Sequence, residues 1–340
     1  MSSYGGNMNV NITIIGLGQI GASIGLALAE HTKVVKRLGY DLDRKVVRQA
    51  QKSGAIDKGA GNLKSAVTNA DLVLLCIPVD QIKNVMEHIA PVLKQGAVLM
   101  DTAPVKEVIA GWALEVLPEG CSYVGLTPVL NPQYLHTDTF GVDAARADLF
   151  RNGLMAIAAP PQTDSRAIKL AADLTRLIGA SPLFAELLEI DGLMTSTHIV
   201  PQLMGAALIN ATVNQPGWRE ARKMAGRAYA EVSGPVVHLG EPGALATTAL
   251  LNPENVLRVL NSVIAALKNI RDDIAEDDKD SLNSRLERAR RGRDIWWKER
   301  QAANWVAEEI PRVKTSAASD VFGSLLRFGG KPRVGQDDDS

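Results

Sequence analysis

Short apolar, β-branched runs alternate with amphipathic stretches over the first half of the chain. Val10–Ile15 is a continuous apolar run, and helical spacing follows over Ser23–Glu30. The alternation repeats through a strand at Val34–Tyr40, a helix at Arg44–Ser53, a strand at Asp71–Ile77 and a helix at Val79–Leu93. A strand at Ala97–Asp101 and a helix at Val105–Leu117 complete it. Strands alternating with helices of about 10–15 residues predict a parallel, doubly wound sheet. Uninterrupted apolar strands such as Leu72–Ile77 suit a sheet buried on both faces. Two more strands are predicted at Cys121–Leu126 and Leu154–Ala159, separated by a loop containing Thr127–Asp138. A helix over Asp164–Ile178 then stops at Gly179.

Beyond Leu187 the strand pattern ends. Helices are predicted over Ile190–Ala211, Trp218–Ala230, Ala244–Leu250 and from Glu254 to about Glu308. The expected organisation is α/β: a sheet domain over residues 10–186, an all-α domain over 187–309, a flexible lead-in over 1–9 and a flexible tail over 310–340. Within the tail, Val321–Phe328 reads either as frayed chain or as a short docking helix.

Composition narrows the function classes. Lys+Arg 37 against Asp+Glu 38 removes the field expected of a general nucleic-acid binder. The alternating charges of Arg271–Arg300 read as a solvated helical face, and Trp296, Trp297 and Trp305 as buried against the helical core or a second copy. Hydrophobic content of 46% allows a sizeable core. Two cysteines, Cys76 and Cys121, supply neither a disulfide framework nor a four-cysteine metal site, which fits a reducing, cytoplasmic setting. No apolar run is long enough to span a membrane. Five histidines bound any imidazole chemistry: His31, His88, His136, His198 and His238.

The run Gly16-Leu-Gly18-Gln19-Ile20-Gly21 sits directly after a predicted strand and opens a helix, the context that gives Gly-x-Gly-x-x-Gly its meaning. Gly16 permits the tight turn, Gly18 lets backbone approach a pyrophosphate, and Gly21 allows close helix–strand packing. The helix N-terminus, with Gln19 and Ile20, offers N–H groups to phosphates. Asp41 closes the second strand about 20 residues on, where an acidic side chain takes the ribose hydroxyls and favours NAD. Arg44 nearby leaves NADP open. Ile77, Pro78 and Thr102 follow the next strands on the sheet edge where a Rossmann fold faces the nicotinamide half of its cofactor.

With these residues in view, the chain resembles the prephenate/arogenate dehydrogenase family. The resemblance covers roughly residues 10–300. It runs through Ile15–Gly21, Gly39–Asp41, Gly54–Asp57, Ala70–Val73, Ile77–Val79, Asp101–Lys106, Leu149-Phe150 and Thr195–Gln202. It implies an N-terminal Rossmann dinucleotide-binding domain followed by an all-α domain that dimerises and helps bind a small carboxylate substrate in the cleft. The implied reaction moves hydride from a cyclohexadienol to NAD(P) with loss of CO2.

The resemblance breaks at three positions. Pro104 stands where the family has a serine, although Asp101 and Lys106 remain. Thr127 replaces the histidine that takes the substrate hydroxyl proton, and threonine is no base near neutrality. Ser233–His238 holds no arginine to clamp a carboxylate. Candidate chemistry therefore rests on His198 and Gln202, which share a helix face and match a family motif. Further candidates are Thr127 itself, His136 or Tyr134 folding back as a base, Lys106 as an anion ligand or a structural cap at the helix start, His238 as a single positive charge, and Asn131 in the same loop as His136. The alternatives are a dehydrogenase of another small hydroxy or amino acid and an inactive dinucleotide-binding sensor or partner subunit.

Overall fold

The computed structural model describes residues 10–137, 139–239 and 242–303. The expected lead-in at 1–9 and tail at 310–340, with Val321–Phe328 and Trp305, lie outside the described residues. Strands β1 (Val10–Ile15), β2 (Val35–Tyr40), β3 (Lys58–Gly59), β4 (Leu72–Leu75), β5 (Val98–Asp101), β6 (Ser122–Val129), β7 (Leu154–Ala158) and β8 (Ser181–Phe184) form one sheet. Its order is β3-β2-β1-β4-β5-β6-β7-β8. Helices α1 (Gln19–Ala27), α2 (Arg44–Lys52), α3 (Leu63–Val67), α4 (Val79–Ile89), α5 (Glu107–Val116) and α6 (Ser165–Leu177) connect the strands.

Alternation along each strand divides the core in two. Ile12 and Ile14 of β1, Leu72 and Leu74 of β4 and Val124 and Leu126 of β6 point to one layer. Ile15, Val73, Leu75 and Tyr123 point to the other. Both layers are shut off from water, so these strands read as unbroken apolar runs.

The sheet departs from the expected all-parallel pattern at one place. β7 runs antiparallel to β6, pairing Gly125 with Ala158 and Val129 with Leu154. Among the described residues, the 130–153 connection holds only two short 3-10 turns, Pro132–Tyr134 and Gly141–Ala144. With no crossover helix to return the chain to the starting edge, it re-enters the sheet from the edge it left. β8, parallel to β7, was not expected from the sequence. Pro182 argues against a central strand, yet an edge strand tolerates it.

From Leu187 the chain is helical: α7 (Leu187–Met194), a π-helical turn (Thr195–Ile199), α8 (Val200–Thr212), α9 (Trp218–Met224) and α10 (Arg227–Ser233). α11 (Pro242–Leu251), α12 (Pro253–Ala275) and α13 (Lys279–Ala302) follow. Two expected helices are broken. Gly226 is extended between α9 and α10. Asp277 adopts φ 54° between α12 and α13, and Arg285 returns across this turn to Asp273.

Candidate functional site

Glycine geometry at the end of β1 explains why the motif is built as it is. Gly16 has φ 88°, and a Cβ there would lie 2.3 Å from the Cys76 carbonyl oxygen. At Gly21 a Cβ would lie 2.0 Å from the Gly16 oxygen. Both glycines are demanded by the fold itself. Gly18 differs: it caps α1 in an extended conformation, and a Cβ there would meet nothing within 4 Å. Gly18, Gln19 and Ile20 are half-buried, so this helix start is open to a ligand.

Asp41, at the end of β2, accepts hydrogen bonds from Leu17 N and Asp43 N, both at 2.9 Å. Its carboxylate is thereby fixed beside the glycine turn. These features fit a dinucleotide: N–H groups and a positive helix end for phosphates, and an oriented carboxylate for ribose hydroxyls. Arg44 is corrected as a host for a 2′-phosphate. Its guanidinium donates to the carbonyls of Ala60 and Gly61. Ile77 and Thr102 are half-buried and Pro78 exposed, all just past the ends of β4 and β5. Thr102 N donates to Leu75 O at 3.0 Å.

Lys106, offered with two readings, takes the structural one. Its ammonium lies 2.6 Å from Asp101 Oδ1 and both side chains are closed to solvent. Asp101 also accepts from the Tyr123 hydroxyl at 2.6 Å and from Ala103 N at 2.8 Å. Burial lowers the Lys106 pKa against the raising field of Asp101, and burial holds the Tyr123 phenol well above its usual value. Gly125 makes room for this pair, since a Cβ there would sit 2.5 Å from Lys106 Cδ. The ammonium is therefore removed from the list of substrate ligands. Cys76 stays core: burial pushes its thiol up to about 12.

Thr127 stands on the same face of β6 as Tyr123, at the register of Ala156 in β7. It is 2% exposed, and among the described residues its hydroxyl has no hydrogen-bond partner. Buried hydroxyls are normally satisfied, so this one is a place where a ligand group or water would be welcomed.

The loop after β6 does not supply a replacement base. His136 is exposed and packs against Trp297 of α13 with ring centroids 5.5 Å apart and planes tilted by 57°. Tyr134 donates to Asp148 at 2.8 Å. Asn131 is corrected as a substrate ligand: it is buried, caps the turn by accepting from Gln133 N at 3.1 Å and donates to Asp148 O at 3.3 Å. Arg293 lies over both Trp296 and Trp297, its guanidinium carbon 4.7 and 4.8 Å from the two ring centroids. The side chain of His238 lies outside the described residues.

His198 lies in the π turn. Pro201 has no N–H to donate, and the wider turn absorbs the interruption, with Val200 N reaching back to Thr195 O. The next residue, Ile199, is fully buried in the cluster containing Val79, Ala103 and Val105, which follow the ends of β4 and β5. The turn is thus seated against the carboxyl edge of the sheet. Gln202 Nε2 donates to the His198 carbonyl at 2.9 Å, tying the amide to its own helix. Solvent reaches the His198 side chain, yet the protein crowds it enough that desolvation lowers its pKa below 6.5. That combination describes a side chain lining a cleft.

A pH dependence follows. The folded value lies below the unfolded one, so the unfolded chain binds the proton more readily. Stability is full above about pH 6.5 and falls as pH drops through the folded value. His198→Asn is expected to flatten this fall in urea midpoints measured across a pH series. An unchanged slope would show that another group causes it.

Asp191 and Asn252 were not singled out from sequence. The signal that could have found Asp191 is an aspartate inside the largely apolar stretch Leu187–Met194. Asp191 caps α5 from 84 residues away, accepting from Lys106 N and Glu107 N.

The sheet order, the glycine turn and the oriented Asp41 define a protein of the Rossmann-type nucleotide-binding class. The family model described as "Prephenate dehydrogenase, nucleotide-binding domain" matches residues 24–183. A cyclohexadienyl dehydrogenase of Zymomonas mobilis is 28% identical over 285 residues, 83% of this chain and 94% of its own length. A prephenate dehydrogenase of Bacillus subtilis is 24% identical over 291 residues, 84% of this chain and 76% of its own. Among solved structures, prephenate dehydrogenase from A. aeolicus in complex with hydroxyphenyl propionate and NAD+ shares the fold. Its TM-score is 0.75 at 19% identity, covering 84% of this chain and 98% of that one. The chain is thus similar, at low identity, to prephenate and cyclohexadienyl dehydrogenases.

Proposed function

We propose that the chain is an NAD-dependent dehydrogenase of a cyclohexadienol carboxylate of the prephenate or arogenate type. The observation that carries this reading is the open α1 start at Gly18 beside the fixed Asp41 carboxylate. The similarity of the chain to dehydrogenases over more than four-fifths of its length supports the substrate class. The Gly18–Ile20 N–H groups would hold the cofactor pyrophosphate, and Asp41 its ribose. NAD supplies the hydride acceptor. Hydride loss from the ring carbinol and departure of CO2 leave an aromatic phenol.

Within this chain, Thr127 offers a hydroxyl where the resemblance expects an imidazole. It orients the substrate hydroxyl by a hydrogen bond; the electron pair left by departing CO2 completes the ring as hydride leaves, and the product phenol keeps the hydroxyl proton overall. This makes a slow enzyme, because general-base assistance contributes about 10²–10⁴-fold where it exists. His198 meets the substrate from the helical side.

Thr127→Val separates the two roles a hydroxyl can have. Removing an unpartnered buried hydroxyl is expected to raise stability by about 1 kcal/mol. Turnover is expected to fall roughly tenfold, the worth of one substrate hydrogen bond. Urea unfolding and steady-state rates on the same preparation check both. Undiminished turnover would remove Thr127 from the site, whereas no turnover in the parent protein would favour the second reading, a dinucleotide-binding sensor that Thr127 and the absence of arginine from Ser233–His238 also suit.

The reading includes a homodimer through the helical segment. Leu257, Ile264, Leu267 and Ile274 form a stripe along α12, each 58–62% exposed. A row of this length is characteristic of an unfilled interface. A monomer in sedimentation at micromolar concentration would contradict the dimer.

A further inference from the structure

A run of buried polar groups joins the sheet edge to the turn that carries His198. Lys106 N donates to Asp191 Oδ1 at 2.5 Å and Glu107 N to Asp191 Oδ2 at 3.2 Å. Thr195 Oγ1 donates back to the Asp191 carbonyl at 2.7 Å. Asn252 Nδ2 donates to that same carbonyl at 3.1 Å and to Thr195 Oγ1 at 2.9 Å. Asp191, Thr195 and Asn252 are all buried. On the sheet side, Lys106 continues the run through its ammonium to Asp101, and Asp101 to Tyr123.

Three features separate this arrangement from an ordinary helix cap. The first N–H groups of any helix lack intrahelical partners, and a residue just upstream usually serves them. Here α5 has no side-chain cap of its own. The acceptor comes instead from α7, with one carboxylate oxygen on each of two successive N–H groups. That two-point contact fixes both the distance and the rotation of α7 relative to α5. Third, the contact continues through Thr195, the first residue of the π turn, and through Asn252, which precedes α12. Four segments converge on one residue.

We propose that Asp191 is a positioning residue: by clamping α7 to the start of α5, it sets where the π turn places His198 against the sheet edge. A buried carboxylate is a costly way to gain stability, since apolar packing does as well. What it supplies is direction. One residue of slip along α7 would turn His198 by about 100° around the helix axis. The proposal rests on the reading that His198 meets substrate, and its test has a readout independent of turnover.

Asp191→Asn keeps the size and one acceptor but presents N–H to N–H at the other oxygen. Asn252→Ala removes two donors while leaving the carboxylate in place. For each, NAD affinity, kcat and KM are measured, together with the NMR titration of the His198 imidazole. None of the clamp's hydrogen bonds involves the glycine turn, so NAD affinity should hold within about twofold while kcat falls on the order of 10- to 100-fold, as misplacement by an ångström produces. The His198 midpoint, low in the parent, should move toward the ordinary histidine value in both variants. A folded Asp191→Asn protein with His198 midpoint and kcat both unchanged overturns the proposal. If Asp191→Asn does not fold, Asn252→Ala decides by the same readouts. If the parent turns over no substrate, the proposed reaction fails, and the His198 titration still decides the positioning role.

Discussion

Lys106→Met lowers the unfolding free energy by about 3–5 kcal/mol, the cost of leaving one member of a buried ion pair without the other. The pair spans 2.6 Å, with side chains 1% and 0% exposed. Met fills much of the volume against Gly125, so the loss is electrostatic more than a matter of packing. Asp101 would keep its bonds from Tyr123 and Ala103, which hold the carboxylate in place without neutralising it. Adding Asp101→Asn to Lys106→Met should recover part of the loss, because the double variant buries no charge. Urea unfolding of the single and double variants measures this. A loss below about 1 kcal/mol for Lys106→Met would mean that water reaches the pair, as at a surface ion pair.

Gly18→Val should leave the fold intact and abolish useful cofactor binding. The backbone at Gly18 is extended, φ −69° and ψ −163°, and the space a Cβ would enter is empty. Stability is therefore expected to stay within about 0.5 kcal/mol. The same space is where the pyrophosphate approaches the helix start, so NAD affinity should fall about 100-fold or more, near 2.7 kcal/mol. Gly21→Ala gives the opposite pairing: its Cβ would press on the Gly16 carbonyl at 2.0 Å, so stability falls first. Calorimetric NAD titration and unfolding curves on both variants distinguish a glycine kept for the ligand from one kept for the fold. Retained affinity in Gly18→Val would place the nucleotide elsewhere.

Much of the sheet was legible because its signals are local. β1, β2, β4 and β5 announce themselves as apolar runs bounded by turns, and the helices between them by period. The antiparallel β7 was not, since strand direction depends on whether a crossover helix lies between β6 and β7. α12 and α13 read as one helix because the break at 276–278, turned by Asp277, is short and as charged as the helices on either side.

At the site, the glycine turn and Asp41 could be read from spacing alone. Relations across many residues could not. His136 meets Trp297, Arg300 bonds the Leu130 carbonyl, and Asp191 caps α5, all between segments far apart in sequence. Lys106 shows the limit plainly. Its position after β5 suits both an anion ligand and a core cation, and only the packing of Asp101, Tyr123 and Gly125 around it separates the two.

The most direct test of a slow NAD-dependent dehydrogenase is to mix the protein with NAD and either prephenate or arogenate. Reduced cofactor and released CO2 are then followed together. The expected result is equal amounts of both from one of these substrates, slowly, with the rate reduced further in Thr127→Val. Tight NAD binding with no reduction of the cofactor by either substrate would contradict it.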